Sequence, residues 1–466
     1  MADASYSPRL RTALVLTGAG TAGAYQAGVI RALADAGTKI DLIAAHGPGI
    51  ANACIASVDG GQKLGDATGP WASPALLKSY RWRAGLRAAG WGISVALAAL
   101  LLPLAVLVVA ALIYAASLIA SLLSLTTAAA WLVTAYRVTL DILFHPPILP
   151  TVVPRVMVLS LLVTAAVLVG AWFRSRRIKP SRRRSSGAFW WQLFGAPIDA
   201  TEPSKTLVDA VWTMVRGAET GSAPTAAEIG RRYVDLVTDN FGQPGFREVV
   251  LGVHDLDARR DIALAVVPAG PATAFAERRP VGGAREAEAI DLSTSMRDYL
   301  ADIVGAGLEL PGATAGHSIT FPADHYWPGE THRLTDRAEI VHRLVDEVLS
   351  LGAEQVILVS AAPPAGAPHA LGPRPVDLRG RVGEWQRSVE TAVIDDAIAH
   401  AATRFSAVFV IRPAHNPVGP FQFQGTYDEM SDRTRSLADL VRQGFDDANR
   451  LFVEPVLASG ERVEAI

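Results

Sequence analysis

Two short glycine-rich turns hold the residues best placed to do chemistry. The first, "TGAGTAGAY" (residues 17–25), follows a strand-length apolar run and carries Gly18, Gly20 and Gly23 in a GxGxxG spacing. Backbone N–H groups at such a turn, backed by the dipole of the helix they open, receive anionic oxygen: a pyrophosphate, or the oxyanion of a reacting ester. The second, "AAHGPGIANA" (residues 44–53), also runs from a strand into a helix. A sharp turn of that kind can lift a nucleophile clear of the backbone. This one holds no serine, and the nearest groups able to attack or to move a proton are His46, Cys54 and Ser57.

Each reading makes a demand on the rest of the chain. A dinucleotide site wants an acid at the end of the second strand to bind ribose, yet Asp41 stands at that strand's beginning and His46 at its end. A metal centre wants clustered ligands. Cys54 is the only cysteine, which excludes an intramolecular disulfide and a cysteine cluster, and His325, His332 and His342 lack ligand spacing. No metal or cofactor is expected. A net charge of −2 gives no global electrostatic case for nucleic acid.

The elements around the turns alternate between strand and helix, which predicts an α/β fold. "LVDAVWTMVR" reads as a helix, "FREVVLGVHDLDARRDIALAVVPA" as two strands, "DRAEIVHRLVDEVLSLGAEQVILVS" as helix then buried strand, and Glu384–His400 and "LADLVRQGFDDANRLF" as helices. The start of the sequence lacks the basic, apolar and small-residue pattern of a secretory signal.

An apolar block interrupts this pattern. No charged residue occurs from Ala88 to Tyr136, and a second apolar run covers Val156 to Phe173. Both reach the ~18 residues that suggest a membrane span. The first would reach ~70 Å as one helix against a ~30 Å hydrocarbon core. Lys78, Arg81, Arg83 and Arg87 precede the block and "RSRRIKPSRRR" follows it, with only Arg137 and Arg155 between the runs. Basic residues favour the cytoplasmic side, so both flanks belong there and the number of crossings is even. Two spans are expected, near 93–115 and 156–173, with 117–136 lying at the interface or packing on the first span. The basic run after Phe173 reads as a topology determinant or a contact for anionic lipid. The expected organisation is 1–87 as one half of an α/β domain, 88–185 as a transmembrane insertion and 186–466 as the other half.

"LVLTGAGTAGAYQAGVIRALADAG" followed by "IDLIAAHGPGIANAC" resembles the patatin-like phospholipase family, whose glycine-rich oxyanion loop opens a helix and whose GxSxG elbow carries the nucleophile. The resemblance continues through "NFGQPGFREVVLGVHDLDARRDIALAV", "LVDEVLSLGAEQVILVS" and "LADLVRQGFDDANRLF". It implies a three-layer α/β/α sandwich and a Ser–Asp dyad, the Asp lying in a downstream DGG or DGA turn. Aligned through "GIANA", the nucleophile position is Gly47, followed by Pro48 and Gly49, and the oxyanion loop is Gly18, Ala19, Gly20, Thr21, Ala22 and Gly23. Glycine can form no acyl intermediate, and loss of a serine nucleophile costs on the order of 10⁶ in turnover. Pro48 has no N–H to give an oxyanion but suits a helix start. Ala19 and Ala22 replace the loop's middle glycine and its basic residue.

The literal "DGG" at Asp59 reads as a helix-ending turn. The dyad Asp falls on "FPADHYWPGETHRLTDR", with Pro328 the best match and Asp324 and Asp336 the alternatives. The expectation is therefore a membrane-anchored pseudohydrolase that binds a lipid, an acyl group or a protein partner, or assembles with a second copy. Two alternatives stay open: an acyl hydrolase using Ser57, Cys54 or Asp324, and a nucleotide-binding membrane protein.

Overall fold

The structure is a computed structural model of the 466-residue chain. It describes residues 6–66, 69–143, 152–177, 195–217, 224–277, 287–364, 377–415, 418–428 and 433–458. The basic run beyond 177 and the Pro/Gly-rich loop beyond 364 lie outside the described residues. The chain divides into two compact units, one formed by Met1–Arg81 with Ile198–Ile466, the other by Trp82–Pro197.

The first unit is a mixed, mostly parallel sheet with helices on both faces. Its strands are β1 (Thr12–Thr17), β2 (Leu42–His46), β3 (Glu248–Asp255), β4 (Arg260–Val266), β5 (Ala289–Asp291), β6 (His317–Thr320), β7 (Thr331–Thr335), β8 (Gln355–Ser360) and β9 (Ala407–Ile411). The order is β9-β8-β1-β2-β3-β4-β5. From β9 to β3 every pair is parallel; β4 returns antiparallel to β3, and the β6–β7 hairpin joins through β7 against the end of β3. Successive residues of β1 serve opposite cores: Leu14 and Leu16 pack into one, Ala13 and Val15 into the other. That is why the strand reads as an unbroken apolar run rather than an alternating one. The β6–β7 hairpin was not evident from periodicity, because "HSIT" and "THRLT" are largely polar and half-exposed.

The helices of this unit that bear on the argument are α1 (Ala22–Asp35) and α2 (Gly49–Asp59), then, past the second unit's α3 (Ala84–Leu122), α4 (Thr126–Leu143) and α5 (Val152–Arg177), α6 (Thr201–Val215), α7 (Ala226–Asp239), α8 (Ala269–Glu277), α9 (Leu300–Gly307), α10 (Ile340–Ser350), α11 (Leu378–Ala402) and α12 (Leu437–Ala448). Glycines let α1 and α12 cross at backbone contact. A Cβ on Gly28 would meet the Val441 carbonyl oxygen at 1.8 Å, and one on Gly444 the Tyr25 oxygen at 2.0 Å.

In the second unit, three helical stretches among the described residues are long and apolar enough to cross a membrane: Ala84–Leu102, Leu104–Leu122 and Pro154–Phe173. The first two are parts of the single helix α3. Its first half packs antiparallel to α5, with Gly92 against Thr164 and Gly85 against Ala171. Its second half packs antiparallel to α4, where the Tyr136 hydroxyl donates to the Val106 carbonyl at 2.9 Å. The stretch 117–136 therefore contains a turn at Leu123–Leu125, and its second part packs on the long helix.

Candidate functional site

Parallel strands leave a crevice at their carboxyl ends, where α/β proteins bind ligands. Here β1 ends in the Gly18–Thr21 loop and β2 in the Gly47 turn, side by side. Gly47 has φ +61°, a left-handed conformation that side-chain-bearing residues rarely adopt, and Pro48 follows as the N-cap of α2. The strand-to-helix elbow is thus intact in shape.

The carboxylate facing that elbow is Asp336, the first residue after β7. A Cβ on Gly47 would lie 3.0 Å from Asp336 Oδ2, and 2.4 Å from the Gly18 carbonyl oxygen. The Asp336 backbone is tied down by its N–H donating to the Glu309 carbonyl at 2.8 Å, next to the Thr335 hydroxyl bond to the same oxygen. Pro328 and Asp324 are exposed in the loop joining β6 to β7, with the five residues of β7, about 16 Å of strand, separating Pro328 from Asp336. Of the three positions considered for an aspartate, the structure thus brings Asp336 to the Gly47 turn and leaves Pro328 and Asp324 in the connection between β6 and β7.

His46 ends β2 and pairs with Asp336, Nδ1 to Oδ1 at 2.8 Å, both side chains fully buried. Burial pushes the imidazole pKa down, but the Asp336 charge and hydrogen bond outweigh it, and the pKa stands above its usual 6.5. Among the described residues, His46 Nε2 and Asp336 Oδ2 have no hydrogen-bond partner.

A third buried ionisable group completes the cluster, and no turn or motif pointed to it. Glu390, on α11, is 5% exposed. Its carboxylate takes a hydrogen bond from Gln386 Nε2 at 3.4 Å, one turn back on the same helix. Burial raises the Glu390 pKa to about 7, with the Asp336 charge adding to the rise and His46 opposing it. A signal for it existed: the buried stripe of α11, Gly383, Gln386, Glu390, Ile394, Ala397 and Ala401, has helical spacing and puts a carboxylate where apolar residues belong.

The loop's Thr21 donors are taken by the protein itself. The Thr21 N–H and hydroxyl both donate to the Pro420 carbonyl at 3.3 Å, and a Cβ on Gly20 would come within 2.0 Å of that oxygen. Gly20, at φ +53°, is required twice over, by the turn and by this approach. With Thr21 bonded to the Pro420 carbonyl and every residue from Thr12 to Ile30 buried, the loop leaves no place for a pyrophosphate. The nucleotide reading has no geometric support.

The remaining candidates serve the framework. Asn52 Nδ2 donates to the Gly23 carbonyl at 2.9 Å and to Gln26 Oε1 at 3.1 Å, while its Oδ1 accepts from Trp71 Nε1 at 2.8 Å. Gln26 in turn donates to the Thr17 carbonyl. This network locks α2 to α1. Ser57 bonds the Tyr233 hydroxyl at 2.7 Å and the Cys54 carbonyl, and burial pushes the Cys54 thiol up to about 12. Neither is positioned or charged to attack. Gly60, with φ +76°, caps α2, as the "DGG" at Asp59 suggested. His332 pairs with Asp255, His325 stacks on Phe321, and His342 lies against His400.

No protein-family profile and no curated protein matches this sequence. Among solved structures the chain is similar to VipD from Legionella pneumophila, at 12% identity and a TM-score of 0.34, over 97% of this chain and 68% of that one. A likeness this distant leaves the functional reading to the residues.

Proposed function

We propose that the protein is a membrane-anchored, patatin-like pseudohydrolase: a lipid acyl hydrolase scaffold without a nucleophile, which binds an acyl group or a partner rather than cleaving it. The observation that carries this reading is the relation of Gly47 to Asp336. A buried carboxylate faces the elbow where the family's serine stands, and the elbow has no side chain to present. On this reading the dyad aspartate is retained, as the Asp336 of "TDRA" in place of DGG or DGA, and the loss is confined to the serine and the oxyanion loop.

The sealed loop supports the same view. An oxyanion hole works only when its donors point at the place where charge develops. Here the Thr21 N–H and hydroxyl already serve the Pro420 carbonyl. On this reading the apolar helices of the second unit supply the anchor, with one crossing made by α3 and the return by α5, in keeping with the basic flanks on both sides of the block. Purified protein in lipid nanodiscs is expected to turn over neither phospholipid nor p-nitrophenyl esters above the rate of its Asp336→Asn variant. Turnover that disappears in the variant would overturn the reading.

A further inference from the structure

The second unit is built in two tiers along α3. On the lower tier α5 packs with Gly92 against Thr164 and Gly85 against Ala171. Carried along both helices, that register sets Pro154, where the apolar stretch of α5 begins, level with Leu102. On the upper tier α4 is tied to α3 by the Tyr136 hydroxyl on the Val106 carbonyl at 2.9 Å and the Ser117 hydroxyl on the Ala129 carbonyl at 3.4 Å. Its Arg137 and Asp141 therefore come down to the same level as Arg155. The 20 residues Pro154–Phe173 make about 30 Å of helix, the thickness of a hydrocarbon core. Arg83, Arg87, Arg174, Arg176 and Arg177 stand at one end of that span, and Arg137, Asp141 and Arg155 at the other. A bilayer fitted to α5 thus covers the lower tier alone. The upper tier, Leu104–Leu122 with α4, reaches about 28 Å further. Leu104–Leu122 is the most apolar of the three stretches, and no residue of it is buried.

We infer that the α3–α4 hairpin inserts into a second, apposed bilayer, so that the protein bridges two lipid surfaces. The inference rests on the membrane-anchor part of the proposed function and adds a second membrane to it. Three observations favour lipid over a protein partner. The apolar surface goes round the helix: Leu107 and Val109, 66% and 45% exposed, leave α3 about 160° apart. A docked protein covers one face, whereas a helix apolar all round belongs in a core or a bilayer. The tip is apolar too, with Leu122, Leu123 and Leu125 each more than half exposed and no charged residue from Ala88 to Tyr136. Finally, the turn closes on itself. Ser124 takes a left-handed φ of +60°, and the N–H groups of Leu123, Ser124 and Leu125 donate to the carbonyls of Ile119, Ser121 and Ala120 at 3.0, 3.1 and 2.8 Å. The Ser117 and Ser121 hydroxyls are likewise bonded within the hairpin. Backbone that enters hydrocarbon must satisfy its polar groups internally, a demand that a turn facing water does not meet. With about 15 Å of hydrocarbon in one leaflet, the hairpin is long enough to fill it and leave Arg137, Asp141 and Arg155 between the two surfaces.

The test is capture of a second membrane. Full-length protein in nanodiscs, which leave both faces free, is mixed with protein-free phosphatidylcholine vesicles, whose lack of net charge offers nothing to the basic flanks. The vesicles are then floated on a density gradient. Wild type is expected to float with them, and empty nanodiscs are not. The double variant Leu118→Glu, Leu122→Glu changes side chains that are 63% and 77% exposed, so no packing is lost. It is expected to stay in its nanodisc and to co-float about tenfold less or worse, because both carboxylates would have to enter hydrocarbon. Should that variant fail to assemble, Leu123→Lys at the turn is held to the same criterion. Wild type that stays in its nanodisc without floating, or co-flotation unchanged by the substitutions, would overturn the inference and leave the anchor standing. Nanodiscs that pair with one another and ignore vesicles would make the occupant a second copy and overturn it as well. Protein that alkaline carbonate strips from proteoliposomes would defeat the anchor itself, and the bridge with it.

Discussion

Asp336 Oδ2 lies 3.0 Å from the point where a Cβ on Gly47 would stand, and the Gly18 carbonyl oxygen lies 2.4 Å from the same point. The first distance is that of a partner waiting for a nucleophile, and the second forbids one. Backbone oxygens do not yield as flexible side-chain ends do, so a serine at 47 requires the glycine loop to move.

Restoring the serine is therefore expected to fail. Gly47→Ser places a Cβ in a left-handed conformation, costing about 1 kcal/mol, and overpacks against Gly18, costing about 1–3 kcal/mol more. Urea unfolding should show the destabilisation, and a fluorophosphonate should leave the variant unlabelled. A stable, labelled Gly47→Ser protein would show that the loop is free to adjust.

Protonation of the buried cluster should govern stability near neutrality. Glu390 titrates at about 7 in the fold against 4.5 unfolded, so between these values the folded state binds more protons than the unfolded one. Stability from this group is greatest at low pH and falls as pH rises through that window. His46, raised above 6.5, has the same sign: its contribution is present below 6.5 and is lost as pH rises through its folded value. The gap in melting temperature between wild type and Glu390→Gln should widen in favour of the variant from pH 5 to pH 8. A gap independent of pH would contradict the assignment.

Cys54 gives a clean reporter because it is the only cysteine and is buried. With its thiol pushed up to about 12, iodoacetamide should modify it only when the domain opens. Mass spectrometry across a urea series should show modification tracking unfolding. Rapid modification in the absence of urea would restore Cys54 as a candidate nucleophile.

Asn52 carries the link between the two turns. Asn52→Ala strands the Trp71 N–H and Gln26 Oε1, each a buried polar group, and should cost about 1–3 kcal/mol. Equilibrium unfolding measures it, and a loss well under 1 kcal/mol would mean that Trp71 and Gln26 find other partners.

The long helix predicts a topology. In a chain with Cys54 replaced by alanine, single cysteines at Arg83 and at Ser124 stand before α3 and in the turn after it. An impermeant maleimide should reach them from opposite faces of a sealed vesicle. Labelling of both from one face would exclude a crossing by α3.

The two turns were legible because they are local: strand, glycine, helix, with Gly47–Pro48–Gly49 shaping an elbow that sequence alone could align. What faces them was not local. Asp336 sits behind a largely polar hairpin whose strands leave little periodic trace, so turn type alone leaves Pro328, Asp324 and Asp336 all open, and only the folded hairpin singles out Asp336 as the one that faces Gly47. Glu390 lay further out of reach. Its helix is readable from Glu384 to His400, but the inward face of that helix is known only once the sheet that it crosses is in place. The apolar block was plain from composition, whereas the single unbroken α3 from Ala84 to Leu122, longer than either expected span, emerges only with α4 and α5 packed along it.

The central claim is that the elbow holds no nucleophile. Intact-mass measurement of the full-length protein in nanodiscs, after exposure to increasing fluorophosphonate, tests it most directly. The account predicts an unchanged mass at every probe concentration. A single saturable adduct, mapped by peptide sequencing to one serine and lost in Asp336→Asn, would contradict it.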